Sequence, residues 1–195
     1  MTPNPAHLSP RLLTVPNLLT LVRLGLIPLV LFSLWRGEAG RALALFVAAG
    51  VTDGLDGLLA RLLNQRSTAG LYLDPVADKL LLSSTFLVLS LTGEIPWLVT
   101  GFVFGRDLVL MIGVGVLVLR TGERRFPPSF LGKTSTVVQI CTVLAVMLDE
   151  VWAREWLSQA RQIGFMMTIL FVVGSGAHYV YRGARLLRLR RHSIS

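Results

Sequence analysis

Four aspartates hold the chemistry of this sequence: Asp53 and Asp56 end one apolar stretch, and Asp74 and Asp78 begin the next. Residues three or four apart share a helix face, so each pair presents two carboxylates on one side. The loop between them returns the chain to the same boundary. Antiparallel packing of the two helices would then gather all four carboxylates. Bare, they would repel one another; divalent cations remove that problem. Oxygen-only donors favour Mg2+, Mn2+ or Ca2+ over zinc or copper. No His or Cys lies near enough in sequence to make a softer site. Gly54, Gly57, Ala60 and Gly70 are small enough to let a substrate or another helix approach the backbone. Arg61, one turn beyond Gly57, can pair with a phosphate or with the acidic cluster. The plainer alternative is a set of helix caps at a wet interface, and Asp74 before Pro75 suits a cap as well as a ligand.

The surrounding elements make these aspartates conspicuous. The chain has 195 residues, 53% of them hydrophobic and only 15% charged, against about 25% charged in soluble domains. Six apolar segments are long enough to span a bilayer: Asn17 to Trp35, Arg41 to Leu63, Asp74 to Leu91, Pro96 to Leu119, Thr134 to Val151 and Ile163 to Val180. The expected fold is therefore all-α, a polytopic membrane protein with six transmembrane helices. Residues 1–195 form one transmembrane domain, without an internal repeat, soluble domain or low-complexity linker. An ionised Asp deep in the bilayer costs about 3 kcal/mol, so four at two helix ends need a reason.

The formal charge is +8, from 19 Lys+Arg and 11 Asp+Glu. Because the basic residues sit between apolar runs, they indicate anionic lipid and membrane orientation rather than nucleic acid. Arg11, Arg66, Arg120, Arg124, Arg125, Lys133 and the tail from Arg182 to Arg191 fall on the side of the termini, which should be cytoplasmic. The tail should continue as a helix leaving the membrane. Trp35, Trp97, Trp152 and Trp156 fall near segment ends on the outer side, as an aromatic belt would. Residues 1–17 lack the order of a cleaved signal. The single cysteine, Cys141, excludes a disulfide framework within the chain and reads as a small core residue. His7, His178 and His192 have no catalytic spacing.

Read in full, Asp53 to Asp78 gives D-x-x-D-G-x-x-A-R-x8-G-x3-D-x3-D. This resembles the signature of the CDP-alcohol phosphatidyltransferase family at all eight specified positions. The resemblance covers the whole chain, because that family is built on six transmembrane helices with the signature across the second and third. Val15-Pro16-Asn17-Leu18-Leu19-Thr20-Leu21-Val22-Arg23 and Leu73-Asp74-Pro75-Val76-Ala77-Asp78-Lys79-Leu80 are similar to the phosphatidylglycerophosphate synthases and the cardiolipin synthases related to them. Arg106-Asp107 leans toward the eukaryotic-type cardiolipin synthases.

The resemblance implies that an alcohol attacks the β-phosphorus of CDP-diacylglycerol and CMP leaves. It implies two Mg2+ or Mn2+ ions held by Asp53, Asp56, Asp74 and Asp78, with Asp78 also the base for the acceptor hydroxyl. Gly57, Ala60, Arg61 and Gly70 would line the CDP site. Arg106, Lys133 and Arg182 are candidates for an anionic acceptor, and Arg106 with Asp107 is alternatively a neutralising intramembrane ion pair. Glycerol 3-phosphate is the expected acceptor, with phosphatidylglycerol second. A homodimer in a bacterial inner (cell) membrane, with the site facing the cytoplasm, completes the expectation.

Two other classes use intramembrane carboxylates. Intramembrane prenyltransferases carry two separated Asp-rich motifs and more helices. Divalent-cation transporters place acidic residues near the midplane of repeated, broken helices. One composite motif at one boundary argues against both, and CMP release from CDP-diacylglycerol separates the enzyme from a transporter.

Overall fold

Each expected apolar segment is one α-helix: α1 (Val15–Trp35), α2 (Ala39–Leu62), α3 (Gly70–Leu91), α4 (Trp97–Thr121), α5 (Phe130–Trp152) and α6 (Glu155–Arg191). The computed structural model describes residues 15–62, 70–121 and 130–191, and within them the side chains of 17–55, 58, 59, 62, 73–113, 115, 130–179 and 181. Arg11, Arg66, Arg124 and Arg125, which contribute to the expected orientation, lie outside the described residues.

The helices outrun their apolar segments. α3 begins at Gly70 rather than Asp74, α5 at Phe130 rather than Thr134, and α6 runs from Glu155 to Arg191 rather than from Ile163 to Val180. Hydropathy marks only the part suited to hydrocarbon, whereas backbone hydrogen bonding carries a helix on through polar residues. Three stretches, Asn17–Trp35, Phe130–Trp152 and Glu155–Tyr179, are long and apolar enough by length and composition to cross a membrane. The 24, 22 and 25 residues of α2, α3 and α4 give roughly 33–38 Å of helix, against about 30 Å of hydrocarbon. Leu18, Leu21, Leu29 and Phe32 of α1 and Leu98, Leu108, Met111 and Ile112 of α4 are exposed. Such surface suits lipid better than water. All four tryptophans are exposed, each within two residues of a helix end.

Cys141 is exposed, so it is not the small core residue its apolar run suggested. The buried face of α5 is Gly132, Ser135, Gln139, Thr142, Val143, Val146 and Met147. Position 141 falls off that face.

The chain divides into two compact units, residues 1–92 and 93–195. In the second, α6 packs on both α4 and α5. Thr142 Oγ1 lies 3.1 Å from the Gly164 carbonyl and 2.9 Å from Thr168 Oγ1. A Cβ on Gly164 would sit 3.0 Å from that hydroxyl. Close approach over small and hydroxyl residues is how helices associate where lipid removes the hydrophobic drive. Arg161 of α6 pairs with Glu94 at 3.0 Å and Asp149 at 3.6 Å.

In the first unit, α1 packs on both α2 and α3. Its buried positions, Asn17, Thr20, Arg23, Ile27, Val30 and the neighbours Ser33 and Leu34, recur every three or four residues and form one stripe. The α1–α2 hairpin closes at Gly37, whose φ of 71° lies in the left-handed region. Gly37 N–H donates to the Leu34 carbonyl at 3.0 Å, and Glu38 N–H to Ser33 at 2.9 Å, completing a Schellman cap. A Cβ at Gly37 meets no atom within 4 Å, so the cost of one is conformational. Gly37→Ala should destabilise the hairpin by about 1–2 kcal/mol. Gly25→Ala, a helical position equally open, should be neutral or slightly stabilising. Thermal unfolding midpoints of the two variants in detergent check the contrast.

Candidate active site

The stripe on α1 changes character along its length. Its C-terminal half is mostly apolar, with Ile27, Val30 and Leu34 beside Ser33; its N-terminal half is Asn17, Thr20 and Arg23. The stripes that meet it change too. On α2, buried Ala42, Phe46 and Ala49 lead at the next helical interval to Asp53. On α3, buried Ala77 lies between Asp74 and Asp78, and buried Leu81 and Thr85 follow.

α1 collects these carboxylates. Arg23 Nη2 lies 2.9 Å from Asp53 Oδ1, and Arg23 Nη1 donates to Asp78 Oδ1. Thr20 Oγ1 donates to Asp74 Oδ1 at 2.6 Å. The Arg23 side chain is 0% exposed, while those of Asp53 and Asp78 are 47% and 51% exposed. The cation is thus sealed inside the three-helix unit, and the anions it holds open outward. An arginine within an apolar span is tolerated when it is paired. Its planar fork offers two N–H groups to two acceptors on different helices, which a lysine cannot match.

The spacing of the aspartates led us to expect direct packing of α2 on α3. Among the described residues the substantial contacts of both are instead with α1. Asp74 is not a cap, since α3 begins at Gly70. Asp56 follows Asp53 on α2, as do Gly57, Ala60 and Arg61, and Gly70 opens α3. The side chains of Asp56 and Arg61 lie outside the described set. Thr20 and Arg23 were missed as site residues, although an ionisable residue within an apolar span is itself a functional signal. Their spacing from Asn17, three and then three again, puts all three on one face.

Of the acceptor candidates, Arg106 is paired with Asp107 at 3.1 Å, the two side chains being 10% and 14% exposed. Arg106 is thus held in a nearly buried ion pair, and its buried Nε has no hydrogen-bond partner among the described residues. A Cβ on Gly176 of α6 would lie 3.8 Å from Arg106 Cγ. Lys133 is exposed near the start of α5. Arg182 lies in α6, its side chain outside the described set.

Among the described residues no group of three or more His, Cys, Asp or Glu side chains is placed to hold a metal ion. The side chain of Asp56, the fourth carboxylate, lies outside the described set. The donor chemistry fits a hard divalent cation: carboxylates only, half-exposed, with two of them converging on one guanidinium.

The family model for CDP-alcohol phosphatidyltransferase matches residues 13–174. The chain is 40% identical over 193 residues to the CMP-forming cardiolipin synthase of Streptomyces coelicolor, covering 91% of this chain and 86% of that one. It is 36% identical over 184 residues to a Mycobacterium tuberculosis protein named "Probable phosphatidylglycerophosphate synthase", covering 90% and 84%. To the human CMP-forming cardiolipin synthase it is 34% identical over 192 residues, covering 90% and 64%. The matched region takes in the α1 stripe, both carboxylate pairs and most of the second unit. By that match the chain belongs to the CDP-alcohol phosphatidyltransferase family, and it is a membrane transferase of phospholipid synthesis.

Proposed function

We propose that the chain transfers the phosphatidyl group of CDP-diacylglycerol to glycerol 3-phosphate, giving phosphatidylglycerophosphate and CMP. The observation that carries this reading is the convergence of Asp53 and Asp78, from two helices, on Arg23 at the polar end of α1. The acceptor oxygen forms a bond to the β-phosphorus, the bond from that phosphorus to CMP breaks, and the acceptor proton passes to a base. Asp78 is that base. It is half-exposed, and Arg23 fixes one of its oxygens, so its direction is set before the acceptor arrives.

Asp53, Asp56, Asp74 and Asp78 would hold two Mg2+ or Mn2+ ions. Bound there, the ions would neutralise the pyrophosphate and stabilise the attacking and leaving oxygens. Gly57, Ala60, Arg61 and Gly70 line the nucleotide side. All six helices cross the membrane, the carboxylates face the cytoplasm, the membrane is a bacterial inner membrane, and the working form is a homodimer. The basic segments support that orientation, and the aromatic helix ends support the crossing itself.

A second reading, phosphatidylglycerol as acceptor and cardiolipin as product, is favoured by the two relatives named CMP-forming cardiolipin synthase. CMP release with each acceptor alone decides between them: glycerol 3-phosphate should support turnover and phosphatidylglycerol should not.

Lys133 and Arg182 are our assignments for the acceptor phosphate, and Arg106 would join them only by giving up Asp107, because the pair the two form carries no net charge. Lys133→Ala, at an exposed position, should raise KM for glycerol 3-phosphate by about tenfold, the worth of one charged hydrogen bond. KM for CDP-diacylglycerol should stay unchanged. Equal effects on both would point to general electrostatics.

A further inference from the structure

We infer that Arg23 is a built-in counter-ion, which offsets part of the charge of the carboxylate site while it is empty and limits how tightly the site holds a divalent cation. The inference rests on the reading of these carboxylates as a metal site.

Its observations are burial, reach and position. The Arg23 side chain has no exposure, yet both of its carboxylate partners are about half exposed. A guanidinium brought in merely to bind a substrate anion would need an open face. This one is closed off behind the carboxylates, where it meets Asp53 of α2 and Asp78 of α3 from α1. Thr20, one turn earlier on the same stripe, donates to Asp74. The polar half of α1 therefore serves carboxylates of both neighbouring helices, and Arg23 supplies the charge.

Two consequences follow from electrostatics. Without a cation in the site, Asp53 and Asp78 would repel across the gap between α2 and α3, and Arg23 turns that repulsion into a bridge. With a divalent cation present, the fixed positive charge nearby opposes it. Like charges a few ångströms apart in a protein interior interact by more than the roughly 1.4 kcal/mol that makes a tenfold change in affinity. Arg23 thus exchanges metal affinity for an organised empty site. That suits an enzyme whose charged product must leave the site each cycle.

The test compares wild type, Arg23→Gln and Arg23→Lys, each purified in detergent and stripped with EDTA. Mn2+ binding is read by electron paramagnetic resonance of the unbound ion, and stability by thermal unfolding with and without Mn2+. Arg23→Gln keeps hydrogen-bond donors and removes the charge. It should bind Mn2+ about tenfold tighter than wild type, unfold at a lower temperature when stripped, and gain more from Mn2+ than wild type gains. Arg23→Lys keeps the charge, and its Mn2+ affinity should stay near the wild-type value. Equal or weaker Mn2+ binding by Arg23→Gln would overturn the inference and leave Arg23 a structural clamp. If stripped Arg23→Gln does not fold, recovery with Mn2+ supports the inference, and failure both with and without Mn2+ overturns it. A wild type that binds no Mn2+ would instead remove the metal-site reading itself.

Discussion

Asp78→Asn should lower turnover by about 10²-fold or more, the usual worth of a positioned general base, while CDP-diacylglycerol binding is largely retained. The structure explains why this substitution is clean. Arg23 donates to Asp78 Oδ1, and an asparagine carbonyl accepts the same bond. The side chain therefore stays in place and the helix contacts survive, but the group can no longer take up a proton. CMP release and nucleotide-lipid binding on the purified variant, at several Mg2+ concentrations, separate the roles. Full activity regained at high Mg2+ would make Asp78 a ligand only, and the base would then be sought in the acceptor's own phosphate.

Asp53→Asn should fail differently. Its carboxylate is held through Oδ1 by the same guanidinium at 2.9 Å, so the substitution again spares the local packing. It removes a negative charge from the cation's donor set. Affinity for Mn2+ and for CDP-diacylglycerol should fall together, by roughly 10-fold or more at the 1.5–3 kcal/mol of a charged contact, and turnover should fall with them. The two variants differ by one oxygen-to-nitrogen exchange each, yet one should lose chiefly catalysis and the other chiefly binding. Indistinguishable losses of both would mean that the carboxylates act as one undivided cluster.

The carboxylates were legible because a fixed spacing on two helices leaves few alternatives. Asp53 and Asp56 at three residues, and Asp74 and Asp78 at four, must share faces whatever the helices pack against. The six helices were legible for a similar reason, since long apolar runs in a poorly charged chain have little else to form. Their ends were less so. Glu155 to Gln162 is helical but mixed in polarity, and Gly70 to Leu73 is helical but set apart from the rest of its segment by Asp74.

The partner of the carboxylates was the part that spacing could not supply. Residue pairs within one helix are set by its period, whereas the choice of α1 over a direct α2–α3 contact belongs to tertiary packing. Arg23 stood in plain view as a charge inside an apolar run, and the run around it was read for its resemblance rather than for that charge. Cys141 shows the same limit: an apolar neighbourhood tells that a residue avoids water, not whether it meets protein or lipid.

If these carboxylates serve transfer from a CDP-linked lipid, CMP release must depend on a divalent cation. Purified protein is stripped with EDTA and given CDP-diacylglycerol and glycerol 3-phosphate, and CMP is followed with and without added Mg2+ or Mn2+. The stripped protein should release no CMP, addition of the cation should start release, and one phosphatidylglycerophosphate should form per CMP. CMP release at full rate without a divalent cation, or none with it and any alcohol acceptor, would contradict that role for the carboxylates.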